Sequence, residues 1–222
     1  MGSRQTESRP YCATLNEMTR PSTLVSSIIA TALIVALTPP VGRGSDPWPA
    51  PYKTYAQIES EILAVEVANP DIVDVQSIGS SYEGRQLYVV KISDNVLIDE
   101  GEPEVLIDAL HHGNEHVTVA QALDTIAALV DGYATDPSIA NLVDSTVTWV
   151  VVAMNPDGLD YDLSVAGGLN WRKNRQPIPR STSIGTDLNR NYSAYWRCCS
   201  VTVRNPASRM YAGPARFSAP ES

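Results

Sequence analysis

From Thr146 to Met154 the chain reads TVTWVVVAM, a run of almost wholly apolar and β-branched residues. A strand of that composition is buried on both faces of a sheet. Burying both faces needs further layers, and the neighbouring segments supply them. Thr54 and Gln57 form a capping box, after which Tyr55, Ile58, Ile62 and Val65 repeat on one helical face until Asn69-Pro70. Ile72 to Ile78 alternates, Tyr82-Glu83-Gly84-Arg85 turns, and Leu87 to Ile92 follows, which predicts a hairpin. Val105 to Leu110 predicts a short buried strand, Val117 to Val130 a helix, and Asn155-Pro156-Asp157-Gly158 a tight turn. Strands alternating with helices predict an α/β layered fold. Ligands in such folds bind outside the carboxyl ends of the strands. Two polar clusters fall there, one after Leu110 and one after Met154.

The chain has 222 residues, 43 % of them hydrophobic and 18 % charged, which suits one domain with a real core. Its formal net charge of −9 argues against a nucleic-acid partner, which demands clustered cations. Leu24 to Leu37 (LVSSIIATALIVAL) is apolar and uncharged but shorter than the ~20 residues a membrane span needs. Residues 1–44 are therefore read as a signal peptide with an extended N-terminal region, cut near Gly44, with Met18 a candidate true start. That reading predicts a secreted, extracellular protein without a stable membrane span; an uncleaved anchor is the alternative. Residues 38–53 are rich in Pro and Gly, with 45–52 taken as the linker and 53–222 as the folded domain. Loss of Cys12 with the signal leaves the adjacent Cys198 and Cys199, for which a vicinal disulfide and two free thiols are both open.

All three histidines fall in His111-His112-Gly113-Asn114-Glu115-His116. A His and a Glu three apart, where a strand meets a helix, can hold one metal ion from two sides. Zinc is the natural occupant, and a catalytic zinc takes three protein ligands and leaves one position for water. His112-x-x-Glu115-His116 also fits the inverted zinc motif, in which both histidines bind from one helix face. Gly113-Asn114 is poor helix material and disfavours that version. A solvated polar loop is the bland alternative.

Two further segments suit an anionic substrate. Asn170-Trp171-Arg172-Lys173-Asn174-Arg175 packs three cations into an otherwise acidic chain. Asp187-Leu188-Asn189-Arg190-Asn191-Tyr192 sets a guanidinium among amides, a fork of donors shaped for a carboxylate. Either alone reads equally well as a solvated loop.

Seven segments in a fixed order now carry a resemblance: SIGSSYEGRQLYVVKIS, LHHGNEH, VVVAMNPDGLDYD, WRKNRQP, GTDLNRNY, the WRCC stretch and YAGPARFSAPES. From about Lys53 onward the chain resembles the secreted zinc carboxypeptidases of the carboxypeptidase A group, nearest in pattern to bacterial carboxypeptidase T-like enzymes. The resemblance implies a mixed β-sheet flanked by helices on both faces, one catalytic Zn2+, and peptide or protein substrates with a free C-terminus. It implies zinc ligation by His112 and Glu115, oxyanion stabilisation by Arg172, and a terminal-carboxylate clamp of Asn189 and Arg190. Asn114 stands where many members carry a substrate-binding Arg, which puts affinity or specificity in doubt. The family's third zinc ligand (a histidine), its mobile tyrosine and its general-base glutamate follow the FSAPE-type segment, so 53–222 is expected to be the N-terminal two-thirds of the domain. Weak zinc binding, little turnover and an exposed sheet edge are expected of such a fragment. A non-catalytic peptide-binding remnant and an interrupted reading frame are the alternatives. Relatives of the T type also bind structural Ca2+, for which Asp99-Glu100-Gly101-Glu102 is a candidate and a solvated loop the simpler reading.

Overall fold

The computed structural model describes residues 52–164, 170–198 and 200–222. The signal run, most of the linker and Cys199 lie outside the described residues. Helix α1 (Tyr55–Ala68) starts as its capping box dictates: the Thr54 side chain accepts from Gln57 N–H, and the Gln57 side chain accepts from Thr54 N–H at 2.9 Å. It buries Tyr55, Ile58 and Ile62. Strands β1 (Val73–Ser80) and β2 (Gln86–Ile92) form the expected antiparallel hairpin. Next come β3 (Glu104–Asp108), α2 (His116–Tyr133), α3 (Pro137–Val143), β4 (Val147–Val151) and α4 (Pro156–Leu163).

The sheet order is β1-β2-β4-β3. β2 and β4 run antiparallel, whereas β3 and β4 run parallel, so the sheet is mixed. A parallel pair needs a crossover, and α2 with α3 provides it. Val73, Val90, Ile92, Val150 and Val152 pack with Ile58, Ile62, Val119, Leu123 and Ile126 into one core. The described residues thus form an α/β protein with a mixed sheet and four α-helices. No helix among the described residues is long and apolar enough to cross a membrane.

Two expectations are corrected. Val105–Leu110 is buried only at its end: among the described residues β3 pairs on one side only, Val105 and Leu106 are 46 % and 65 % exposed, and only Ala109 and Leu110, past the strand, enter the core. Asn155-Pro156-Asp157-Gly158 is not a free turn but the start of α4. Asn155 is the N-cap and Pro156 takes the first helical position, where its missing N–H costs nothing. Helix α3 was not anticipated; Asp136 caps it and Pro137 opens it.

The described residues after α4 have little regular structure, and buried polar side chains hold them. Asn191 is buried; its Nδ2 donates to Ala212 O and Ala215 O, each at 2.8 Å, while its Oδ1 accepts from Ala219 N–H at 2.9 Å. Asp157 is buried and accepts from Ser81 Oγ at 2.6 Å, Glu83 N–H at 2.7 Å and Arg85 Nη1 at 2.7 Å, which ties α4 to the hairpin turn. Glu221, 2 % exposed, accepts from Tyr82 N–H at 3.1 Å and Asn174 Nδ2 at 2.8 Å. Burial pushes its carboxyl above the ordinary 4.5, and those two bonds reverse the shift only in part. Such a group binds its proton more tightly folded than unfolded, so its contribution to stability is lost as pH rises from 4.5 through the folded value. The melting temperature is expected to fall over that window. Glu221→Gln should flatten the slope while melting lower throughout, because its amide nitrogen meets the Asn174 donor; melts from about pH 4 to 7 read both effects.

Candidate active site

Because β3 and β4 are parallel, their carboxyl ends open on the same side. The His111–Glu115 loop follows β3 and Asn155 follows β4. Asn155 is fully buried and joins three segments: Oδ1 accepts from Gly158 N–H at 2.9 Å, and Nδ2 donates to His111 O at 3.2 Å and Arg172 O at 3.4 Å. Gly113 N–H also donates to Arg172 O, at 3.1 Å. The loop lies so close to α4 that a Cβ on Gly113 would sit 2.4 Å from Gly158 O.

This scaffold brings His112, Glu115 and Arg172 together around Asp187. His112 is 3 % exposed and Asp187 fully buried. His112 Nε2 lies 3.0 Å from Asp187 Oδ1, and Arg172 donates from Nε and Nη2 to Asp187 Oδ2 at 3.1 and 3.0 Å. Burial alone would raise the Asp187 pKa; the His112 hydrogen bond and the Arg172 charge outweigh it and hold the carboxyl below its ordinary value. Asp187 is therefore an ionised acceptor, and Nε2 of His112 must carry a proton. In the neutral ring that leaves the lone pair on Nδ1, which faces Glu115 Oε1 at 2.8 Å. Two acceptors so placed need a proton or a cation between them. A carboxylate that fixes the imidazole tautomer is the usual support for a histidine metal ligand. Nitrogen and oxygen donors suit zinc, so the residues fit that ion. Among the described residues no third His, Cys, Asp or Glu joins this pair.

The inverted motif finds no support. His116 Nε2 is bound to Asp162 at 2.7 Å, and its ring stacks on Tyr52 with centroids 4.2 Å apart. His111 also faces elsewhere, its Nε2 2.7 Å from the Tyr192 hydroxyl. Burial lowers the His111 pKa, and burial with the Asp108 charge pushes the Tyr192 hydroxyl up to about 12. Both stay neutral near pH 7.

Asn114 sits between the ligand candidates, its Oδ1 buried without a partner. Asn189 and Arg190 follow Asp187 on a short 3-10 turn, Leu188–Arg190, and line a cavity of about 470 Å³. Tyr192 lines the same cavity, so Asp187 and Tyr192 connect it to the His111–His112 loop. Cys198, also in its wall, is disulfide-bonded. The acidic loop differs from its reading in sequence. Asp99 caps Gly101 N–H at 3.0 Å, and the carboxylates that gather within 4.8 Å are Asp94, Glu100 and Glu102.

Sequence reasoning missed Asp187, Asn155 and Gly113. The Asp187 signal was available as an acid two residues before the Asn189-Arg190 pair; its partners are far off in sequence and gave no hint.

A family model described as zinc carboxypeptidase matches residues 58–222. A zinc carboxypeptidase of Saccharothrix mutabilis subsp. capreolus is 43 % identical over 159 residues, covering 70 % of this chain and 36 % of that protein. Mouse carboxypeptidase A2 is 34 % identical over 164 residues, 74 % of this chain and 38 % of the other. Among solved structures, thrombin-activatable fibrinolysis inhibitor superposes with a TM-score of 0.70 at 30 % identity, covering 77 % of this chain and 41 % of that one. Carboxypeptidase A from Helicoverpa armigera gives 0.69 at 29 % identity, covering 77 % and 40 %. The chain spans well under half the length of these relatives.

Proposed function

Because the chain belongs to the zinc carboxypeptidase family, we propose that it serves a secreted zinc-dependent carboxypeptidase, acting on the last residue of peptides with a free C-terminus. One observation carries this reading: His112 Nδ1 and Glu115 Oε1 converge to 2.8 Å with the far side of the imidazole tied to Asp187. The apolar run Leu24–Leu37 supports export, and the seven ordered segments together support the carboxypeptidase T-like pattern.

His112 and Glu115 hold the zinc ion, and Asp187 keeps the His112 lone pair on Nδ1. A zinc ion held by these two residues would supply a water of lowered pKa and would polarise the scissile carbonyl. Arg172 has five N–H donors, two of them engaged by Asp187. Its Nη1 remains to meet an oxygen that gains charge during the reaction, as an oxyanion donor does. Asn189 and Arg190 grip the terminal carboxylate, an anion that internal peptide positions lack. Asn114 contacts the substrate from between the ligands, as a neutral amide. Both oxygens of Asp187 are engaged and Glu115 is a ligand, so neither serves as general base. Turnover by this chain is therefore expected to be slow and peptide binding to be the better readout.

The test compares an N-blocked dipeptide with its C-terminal amide, titrated into the zinc-loaded chain. The free acid should bind about tenfold or more tighter, and Arg190→Gln should erase the difference. Equal binding of acid and amide would contradict the clamp. The ligand set of two among the described residues favours a second reading, a non-catalytic peptide binder. Binding of the free acid with no detectable cleavage at saturating zinc would select it.

A further inference from the structure

We infer that Arg197 makes the cavity beside Asn189 and Arg190 selective for a peptide whose last residue has an acidic side chain. The inference deepens the proposed function and rests on Asn189 and Arg190 being the terminal-carboxylate clamp.

Among the described residues the cavity is lined by Arg190 and Arg197 and by no Asp or Glu. That is unusual in a chain of net charge −9. Among the described residues neither arginine is paired with an acid; the ion pairs form elsewhere. Arg197 is nevertheless held in place. Its guanidinium lies 4.1 Å from the centroid of the Trp196 ring, and Nη2 donates to Gly213 O at 2.9 Å and Pro214 O at 3.3 Å. Carbonyl oxygens fix the position of the group without cancelling its charge. Nε is buried with no partner, so part of its donor capacity is unused.

The backbone adds an independent sign. Arg197 adopts φ +58°, a region that glycine enters freely and a side chain enters at a cost. The chain thus keeps a long cation where a glycine would relax the turn. A terminal Glu or Asp brings two anions, one for Arg190 and one for Arg197. A terminal Lys would bring a third cation into the same space. A neutral residue can touch Tyr195 and Met210 but leaves the Arg197 charge uncompensated.

The test uses the full chain, zinc-loaded, titrated calorimetrically with N-acetyl-Tyr-Glu, N-acetyl-Tyr-Gln and N-acetyl-Tyr-Lys. Glu and Gln differ in charge and hardly in shape. The Glu peptide should bind about tenfold tighter than the Gln peptide, with Lys weakest, and the ratio should shrink at high salt. Arg197→Gln should bring the Glu-to-Gln ratio to about one, whereas Arg197→Lys should preserve a Glu preference. The Lys variant keeps the test open should the Gln variant fold poorly. Arg190→Gln should weaken all three peptides alike. Equal affinity for Glu and Gln peptides, or a preference unchanged in Arg197→Gln, overturns the inference and leaves the clamp standing. Indifference of all peptides to Arg190→Gln, or no binding at all, overturns both.

Discussion

Asp187→Ala is expected to lower zinc affinity by about 10- to 100-fold and to destabilise the fold by about 3–5 kcal/mol. Two separate losses combine in this variant. The Arg172 guanidinium, whose side chain is only 22 % exposed, is left beside an empty acceptor site. Removing one partner of a buried pair costs far more than the pair itself contributes, because the remaining charge stays desolvated. At the same time His112 loses the acceptor that fixes its tautomer, so its Nδ1 no longer reliably presents a lone pair toward Glu115. Urea denaturation reads the first loss and competition with a chromophoric chelator reads the second. Asp187→Asn keeps the shape and removes the charge, and should show both losses at smaller size. An unchanged zinc affinity in Asp187→Ala would mean that His112 needs no such support.

Gly113→Ala is expected to destabilise the fold by a comparable amount, through backbone overlap and not through charge. The added Cβ would lie 2.4 Å from Gly158 O, 2.5 Å from Gly158 C and 3.0 Å from its Cα. All three are backbone atoms, so no side chain can swing aside. Either the loop or the first turn of α4 must move, and the bond from Gly113 N–H to Arg172 O goes with it. A forced backbone shift of this kind costs about 3 kcal/mol or more, a large share of the ~5–15 kcal/mol that holds a domain together. In a domain of this size the melting temperature should fall by roughly 6–12 °C. Val117→Ala, at a side chain 66 % exposed in the next turn, should stay within about 0.5 kcal/mol of the parent. A Gly113→Ala protein that melts like the parent would show that the loop tolerates a looser contact.

Local signals in the sequence were read well, and pairings across the fold were not. The α1 cap, the β1–β2 hairpin and the doubly buried β4 each rest on a few adjacent residues whose chemistry has one good outcome. Asn155-Pro156-Asp157-Gly158 misled because a turn and a helix start use the same residues; only the buried Asn155 side chain, bonded to Gly158 N–H, decides for the helix. The apolar run of β3 suggested burial, but exposure depends on what pairs with the strand, and local composition carries no record of that. In the site, His112 and Glu115 were legible as a pair because they stand only three positions apart. The link from His112 to Asp187 spans 75 positions, and no local pattern announces it. Asn189 and Arg190 were found as donors, but their shared cavity with Arg197 depends on a backbone turn at φ +58° that the sequence does not reveal.

The central claim is that His112 and Glu115 together grip one zinc ion. Zinc-edge X-ray absorption combined with equilibrium dialysis tests it most directly. One zinc per chain is predicted, held by an imidazole nitrogen and a carboxylate oxygen with water filling the remaining positions, and lost in His112→Ala and in Glu115→Ala. Zinc that stays bound with the same stoichiometry and affinity when both residues are replaced, or that is lost only on replacing Asp94, would contradict it.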